Sequence, residues 1–139
     1  MTNGIERILI VEDQPECLEA LEWGVKKVFA EVPYDVAKCL CDATRYVQEG
    51  KYNLVLLDNK LPYDEGGTAD YDGYRLIPLI KATNSKTTIA GTSSLSDEEL
   101  GDLLKPDFKV RKDWMKTKED LEKVLSEIQR MKEGNNPNE

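Results

Sequence analysis

Short all-apolar runs, separated by longer stretches of helical periodicity, set the pattern of this 139-residue chain. Leu54-Val55-Leu56-Leu57 is one such run, and Ile8-Leu9-Ile10-Val11, opened by Arg7, is another. Four aliphatic residues in succession leave no polar face, so both read as strands covered on two sides by helices. Tyr34-Asp35-Val36-Ala37, Thr87-Thr88-Ile89-Ala90-Gly91 and Phe108-Lys109-Val110-Arg111-Lys112 complete a set of five, the first and last with weaker patterns. Between them, Leu18, Leu21, Val25, Val28 and Phe29 recur at helical spacing across 15–31, with Pro15 suited to the first turn. A second helix spans about 40–49, with Leu40, Ala43 and Val47 facing inward and Gly50 as its C-cap. Asp72-Gly73 opens a third, in which Pro78 predicts a kink or a late start. Ser96 with Glu99 predicts a capping box for a short helix to about Lys105. Thr117 with Asp120 predicts another for the last helix, whose apolar stripe is Leu121, Val124, Leu125, Ile128 and Met131.

Strands alternating with helices predict an α/β domain with a doubly wound, five-stranded parallel sheet and five helices, a flavodoxin-like architecture. The expectation is a single domain over 1–139, with a core of about 5–133 and a disordered tail at 134–139. One stretch stands outside the alternation: residues 63–71 are rich in acids and turn formers and have no periodicity.

Composition narrows the function. A net charge of −8 argues against direct binding to nucleic acid, whose phosphates demand a basic face. No apolar run approaches the roughly 20 residues of a membrane span. Cys17, Cys39 and Cys41 have no metal-ligand spacing and read as reduced packing residues of a cytoplasmic protein. The chain has no histidine, which excludes His-based acid–base catalysis, His-ligated zinc and a Ser-His triad.

Candidate chemistry lies where strands end. The first strand ends in Glu12-Asp13, the third in Asp58, the fourth in Thr92 and the fifth in Lys112. In open α/β sheets these C-terminal strand ends lie together and bind ligands. A lone Asp58 reads equally well as a helix cap; with the other polar strand ends it joins a constellation. Three converging carboxylates repel one another, and a hard divalent cation with oxygen ligands, Mg²⁺, relieves them. An ammonium and a hydroxyl opposite would hold oxygens of a transferred phosphoryl group, with Asp58 as nucleophile for an aspartyl phosphate.

With these motifs in order, the chain resembles the receiver domain of two-component response regulators, over residues 5–133. The resemblance rests on Glu12-Asp13, Leu56-Leu57-Asp58-Asn59-Lys60-Leu61-Pro62, Asp72-Gly73, Thr92 and Lys112. It implies that Asp58 accepts a phosphoryl group from a sensor histidine kinase or histidine phosphotransfer protein. It further implies Mg²⁺ bound directly by Asp13 and Asp58, through water by Glu12, and by the backbone carbonyl of Lys60. Thr92 would move onto the phosphoryl group, Lys112 would pair with it, and a downstream protein target would read the change. Such a domain is a phosphoacceptor that catalyses only its own phosphotransfer and dephosphorylation. The alternative, from a different class, is a receiver-like interaction module that works without phosphorylation. An aspartate-nucleophile phosphatase is disfavoured, because that class wants a second acid where Lys60 stands.

Three departures from the family pattern stand out. Lys109 occupies the position of the usual aromatic switch residue, and strand alternation sends the adjacent Phe108 to the opposite face. Asp113 replaces the proline that usually follows the lysine in a cis bond, so the loop is expected to be trans or strained. Residues 63–71 replace a very short linker and read either as a solvated acidic loop or as a lid beside Asp58.

Overall fold

In a computed structural model, which describes residues 4–69, 71–93 and 105–134, the apolar runs form strands as their patterns require. The main sheet takes β1 (Ile8–Val11), β2 (Tyr34–Ala37) and β3 (Leu54–Leu57). Two short strands, β4 (Lys60–Leu61) and β5 (Tyr71–Asp72), pair only with each other, and β6 (Thr88–Gly91) and β7 (Phe108–Lys109) return to the main sheet. The main-sheet order is β2-β1-β3-β6-β7, all parallel. The described helices are α1 (Pro15–Val28), α2 (Leu40–Gln48), α3 (Ile77–Thr83) and α4 (Trp114–Gly134), with a 3₁₀ turn over Gly73–Leu76. The doubly wound parallel sheet is as expected from the sequence. The capping box at Ser96 and Glu99 and the tail beyond Gly134 lie outside the described residues.

Strand alternation divides the core into two layers. Ile8, Ile10, Leu54 and Leu56 pack with Leu18, Leu21 and Val25 of α1 and Leu121, Val124 and Ile128 of α4. Leu9, Val11, Val55 and Leu57 face the other way, onto Ala43 and Val47 of α2 and Ile77 and Ile80 of α3. Consecutive residues of one strand thus serve opposite layers, which is why neither strand carries a polar residue. Phe108 joins the α1–α4 layer, as alternation requires.

The structure corrects several boundaries. The fifth strand is paired only at Phe108–Lys109 rather than through 112. The third helix starts late: a 3₁₀ turn precedes α3, and Pro78 sits in the first helical turn, where its missing N–H has no partner to lose. The last helix begins at Trp114, so Thr117 and Asp120 lie inside it rather than at its cap. Both side chains are recruited backward instead. Thr117 Oγ1 accepts the Asp113 N–H at 2.9 Å and donates to the Arg111 carbonyl. Asp120 receives both the Arg111 guanidinium and the Arg111 N–H, each contact 2.9 Å. The described residues contain no cis peptide bond, so Lys112–Asp113 is trans.

The strands that flank the loop read at 63–71 pair as a hairpin, and its described residues 63–69 form turns and bends between them. Lys60 faces Asp72 and Leu61 faces Tyr71 in antiparallel register. Near its tip the Gly67 N–H bonds to the Asp64 carbonyl, across a turn that places Gly66 at φ 86°. The hairpin's base also completes α2: the Leu40 and Cys41 N–H groups, orphaned at a helix start, donate to the Pro62 and Tyr63 carbonyls at 2.9 and 3.0 Å.

Two predictions follow from this packing. A Cβ on Gly24 would sit 2.8 Å from Thr117 Cγ2 and 3.0 Å from Leu121 Cδ1, and Thr117 is fixed by its two hydrogen bonds. Overpacking of about 1–3 kcal/mol outweighs the roughly 1 kcal/mol that alanine gains in helix propensity. Gly24→Ala is therefore expected to lower stability in urea denaturation, by up to about 2 kcal/mol. At the opposite end of the sheet, Asp35 accepts from Arg7 Nε at 2.9 Å and from Tyr52 Oη at 2.6 Å. Its hydrogen bonds from Arg7 hold the carboxyl below its ordinary 3.8, against opposing burial. A depressed folded-state pKa gives stability that is present above 3.8 and lost as pH falls through the lower folded value. Asp35→Asn should lower the melting temperature at pH 7, and the gap to wild type should close on acidification through that window.

Candidate functional site

The parallel register brings the strand ends level. Val11 aligns with Leu57, Leu57 with Gly91, and Gly91 with Lys109. One further rung of the ladder continues past the strands: Asp58 N–H to the Val11 carbonyl at 3.1 Å, Thr92 N–H to Leu57 at 2.9 Å, and Val110 N–H to Gly91 at 2.9 Å. Glu12 N–H likewise reaches Ala37 at 3.0 Å. Glu12, Asp58, Thr92 and Val110 therefore stand in one row across the sheet, and Asp13 and Lys112 follow one and two residues beyond it. The connections run to opposite sides of the sheet from β1 and β3, which opens a crevice between their ends.

In that crevice Glu12, Asp13 and Asp58 each offer a carboxylate oxygen, all within 4.8 Å of one another. Lys112 Nζ lies 3.0 Å from Glu12 Oε1 and 3.3 Å from Asp58 Oδ1. Glu12 is fully buried, and burial, reinforced by the Asp58 carboxylate, pushes its carboxyl up to about 7. For Lys112, burial acts to lower the pKa, but the Asp58 and Glu12 carboxylates outweigh it, so the ammonium is raised and stays charged. The backbone also contributes: the Asn59 N–H donates to Asp58 Oδ1 at 2.8 Å and the Gln14 N–H to Glu12 Oε2 at 3.1 Å.

Two buried polar atoms have no hydrogen-bond partner among the described residues, Asp13 Oδ1 and Thr92 Oγ1. An unsatisfied buried polar atom costs about 1–3 kcal/mol, so both are open to a group that the described residues do not supply. An oxygen-only donor set carrying an unpaired carboxylate oxygen fits a hard divalent cation such as Mg²⁺. A cavity of about 580 Å³ opens over these groups, lined by Asp13, Asp58, Thr92 and Lys112 and also by Ser93 and Lys109. Lys60 lines it as well, with its exposed ammonium 3.0 Å from Asp72 Oδ1 across the hairpin. Ala69, from the hairpin's closed end, reaches the same cavity.

All six residues singled out in the sequence are thus brought to one place, Lys60 through its side chain at the cavity rim. Three further participants were given no role at the site in the sequence, although Asn59 and Gly73 lie within the motifs that carry the resemblance. Asn59 Oδ1 accepts the Tyr74 N–H at 3.1 Å, Tyr74 Oη accepts the Ser93 N–H at 3.1 Å, and Gly73 packs against the end of β3. The Asp72-Gly73 pair marked the start of a helix, but the reason for its glycine lies across the fold. A Cβ on Gly73 would collide with the Asp58 carbonyl and stand 3.2 Å from the Asn59 carbonyl.

No protein-family model matches the sequence, and no curated protein matches it. Solved structures do. A CheY-like response regulator receiver domain protein from Methanospirillum hungatei JF-1 matches with a TM-score of 0.70 at 19% identity, over 92% of this chain and 99% of that one. The non-phosphorylated HemR receiver domain from Leptospira biflexa matches with a TM-score of 0.67 at 24% identity, over 87% and 94%. The BeF3-activated DrrB receiver domain matches with a TM-score of 0.65 at 23% identity, over 93% and 98%. The chain therefore has the fold of response regulator receiver domains, as the sequence motifs led one to expect.

Gly73→Ala is expected to destabilise the protein by about 2–3 kcal/mol, because the added methyl meets backbone rather than a mobile side chain. Urea denaturation measures the loss. A change below about 0.5 kcal/mol, the range of ordinary surface substitutions, would show that the peptide after Asp58 yields freely.

Proposed function

We propose that this chain is a phosphorylation-switched signalling receiver, in which Asp58 takes a phosphoryl group in the presence of Mg²⁺ and the modified domain changes its binding to a protein target. The observation that carries this reading is the convergence of three carboxylates, a half-buried ammonium and a hydroxyl without a partner among the described residues, at one crevice of a receiver fold. Because the chain has no histidine, a phosphohistidine donor must belong to another molecule, a sensor histidine kinase or a histidine phosphotransfer protein. An oxygen of Asp58 attacks phosphorus, the P–N bond of the phosphohistidine breaks, and the imidazole keeps the electron pair. Asp58 Oδ1 is held by the Asn59 N–H and by Lys112, which orients the carboxylate for attack.

Asp13, Asp58 and Glu12 are the residues that would hold Mg²⁺, with the Lys60 carbonyl as a further ligand. Bound there, Mg²⁺ would neutralise charge on the acceptor and on the phosphoryl oxygens. Lys112 pairs with a phosphoryl oxygen, and the Thr92 hydroxyl gains the partner it otherwise lacks. Switching off needs only water as acceptor: its oxygen attacks phosphorus, the bond to the Asp58 oxygen breaks, the carboxylate keeps the electron pair and inorganic phosphate leaves, so the domain acts on its own phosphoryl group and turns over no separate substrate. The three free cysteines suit a reducing, cytoplasmic setting. No helix among the described residues is long and apolar enough to cross a membrane.

Intact mass after incubation with acetyl phosphate tests the reading. The expected outcome is a phosphoryl adduct on wild type that requires Mg²⁺ and is absent from Asp58→Ala. Absence of an adduct with both acetyl phosphate and a phosphorylated histidine phosphotransfer protein would favour the phosphorylation-independent interaction module.

A further inference from the structure

An aromatic side chain reaches the strand ends from the 3₁₀ turn after β5 rather than from β7, where Lys109 stands. Tyr74 is 1% exposed and touches the site at two points. Its N–H donates to Asn59 Oδ1 at 3.1 Å, and the Asn59 N–H in turn donates to Asp58 Oδ1 at 2.8 Å. Its hydroxyl oxygen accepts the Ser93 N–H at 3.1 Å. One residue therefore spans from the neighbour of Asp58 to the neighbour of Thr92. The space for its phenol exists only because residue 91 is glycine: a Cβ there would collide with Tyr74 Oη and lie 2.9 Å from Tyr74 Cζ.

We infer that Tyr74 is the resting-state partner of the Ser93 amide, and that a phosphoryl group on Asp58 takes the amide from it. The inference rests on the reading of Asp58 as phosphoacceptor. Asp58 and Thr92 stand side by side on one rung, and Ser93 lines the same cavity, so an anion carried by Asp58 meets the Thr92 hydroxyl and then the next amide. That amide has a single hydrogen, and a charged phosphoryl oxygen is a stronger acceptor than a neutral phenol. Once the amide turns, the Ser93–Tyr74 hydrogen bond is broken, and the event at Asp58 reaches Ser93, at the end of β6, without an aromatic residue on β7.

Beryllofluoride with Mg²⁺, a phosphoryl mimic, tests this on wild type and Tyr74→Phe, which keeps the ring and removes only Oη. Releasing one neutral hydrogen bond corresponds to roughly a fivefold change in equilibrium, so Tyr74→Phe is expected to bind beryllofluoride roughly fivefold tighter. Its free-state Ser93 amide resonance should already be displaced toward the position seen in beryllofluoride-bound wild type. A tyrosine that merely packs the core predicts unchanged or weaker binding and a Ser93 resonance like that of free wild type, and that result overturns the inference. A measurement on wild type alone covers the case in which the variant does not fold. The ¹³Cζ resonance of Tyr74, which senses hydrogen bonding at Oη, should move together with the Ser93 amide on titration, and a stationary ¹³Cζ overturns the inference. If wild type shows neither beryllofluoride binding nor an Asp58 adduct, the phosphoacceptor reading fails and this inference with it. An adduct with a stationary ¹³Cζ overturns the inference alone.

Discussion

Mutual repulsion among three carboxylates at one edge of the sheet is the constraint on which the rest of the site depends. Charges 4.8 Å apart repel by about 3 kcal/mol per pair at an effective dielectric of about 20. A single ammonium, Lys112, touches two of the three, and burial, reinforced by the Asp58 carboxylate, pushes the Glu12 carboxyl up to about 7. Asp13 is left with a buried oxygen that nothing in the described chain satisfies. The folded domain thus carries an excess of negative charge at that edge of the sheet, which gives a cation a differential energy to work with there. A ligand can shift a conformational equilibrium only by as much as it distinguishes the two states.

Holding Lys112 in place is correspondingly costly in structure. β7 is only two residues long, so the sheet alone does not fix the segment that follows it. That segment is gripped from α4: Asp120 holds Arg111 at three points, and Thr117 bridges Arg111 and Asp113 on either side of the lysine. The same Thr117 packs where Gly24 of α1 lacks a side chain. The fit of two helices on one face of the sheet thereby sets the position of a cation at its edge. A trans bond after Lys112 is enough when the following loop is tied down by side chains.

Sequence made the architecture legible because Ile8–Val11 and Leu54–Leu57 announce their burial locally, residue by residue. Glu12, Asp13, Asp58, Thr92 and Lys112 were legible because each follows a strand, and parallel register gathers strand ends. What stayed hidden was specified at long range. A two-residue pairing such as Lys60–Leu61 with Tyr71–Asp72 is too short to show alternation. Thr117 and Asp120 fit a local capping pattern, yet their partners sit before the helix, at Arg111 and Asp113. Tyr74 falls in the stretch read as the third helix, and nothing local marks its role, because its hydroxyl finds its partner 19 residues away. Local rules fail where a residue's partner is chosen by the fold.

The hairpin's two ends answer to different masters. Its base shares backbone bonds with the start of α2 through Pro62 and Tyr63, so a shift there strips a helix of its cap. At its tip Gly66 faces open space: a side chain built there would meet no atom within 4 Å, although Ala69, three residues on, lines the carboxylate cavity. A peptide grafted at Gly66 would therefore extend away from the carboxylate crevice rather than into it. The domain has in effect a handle beside that crevice, a place where new recognition can be added without rebuilding the site.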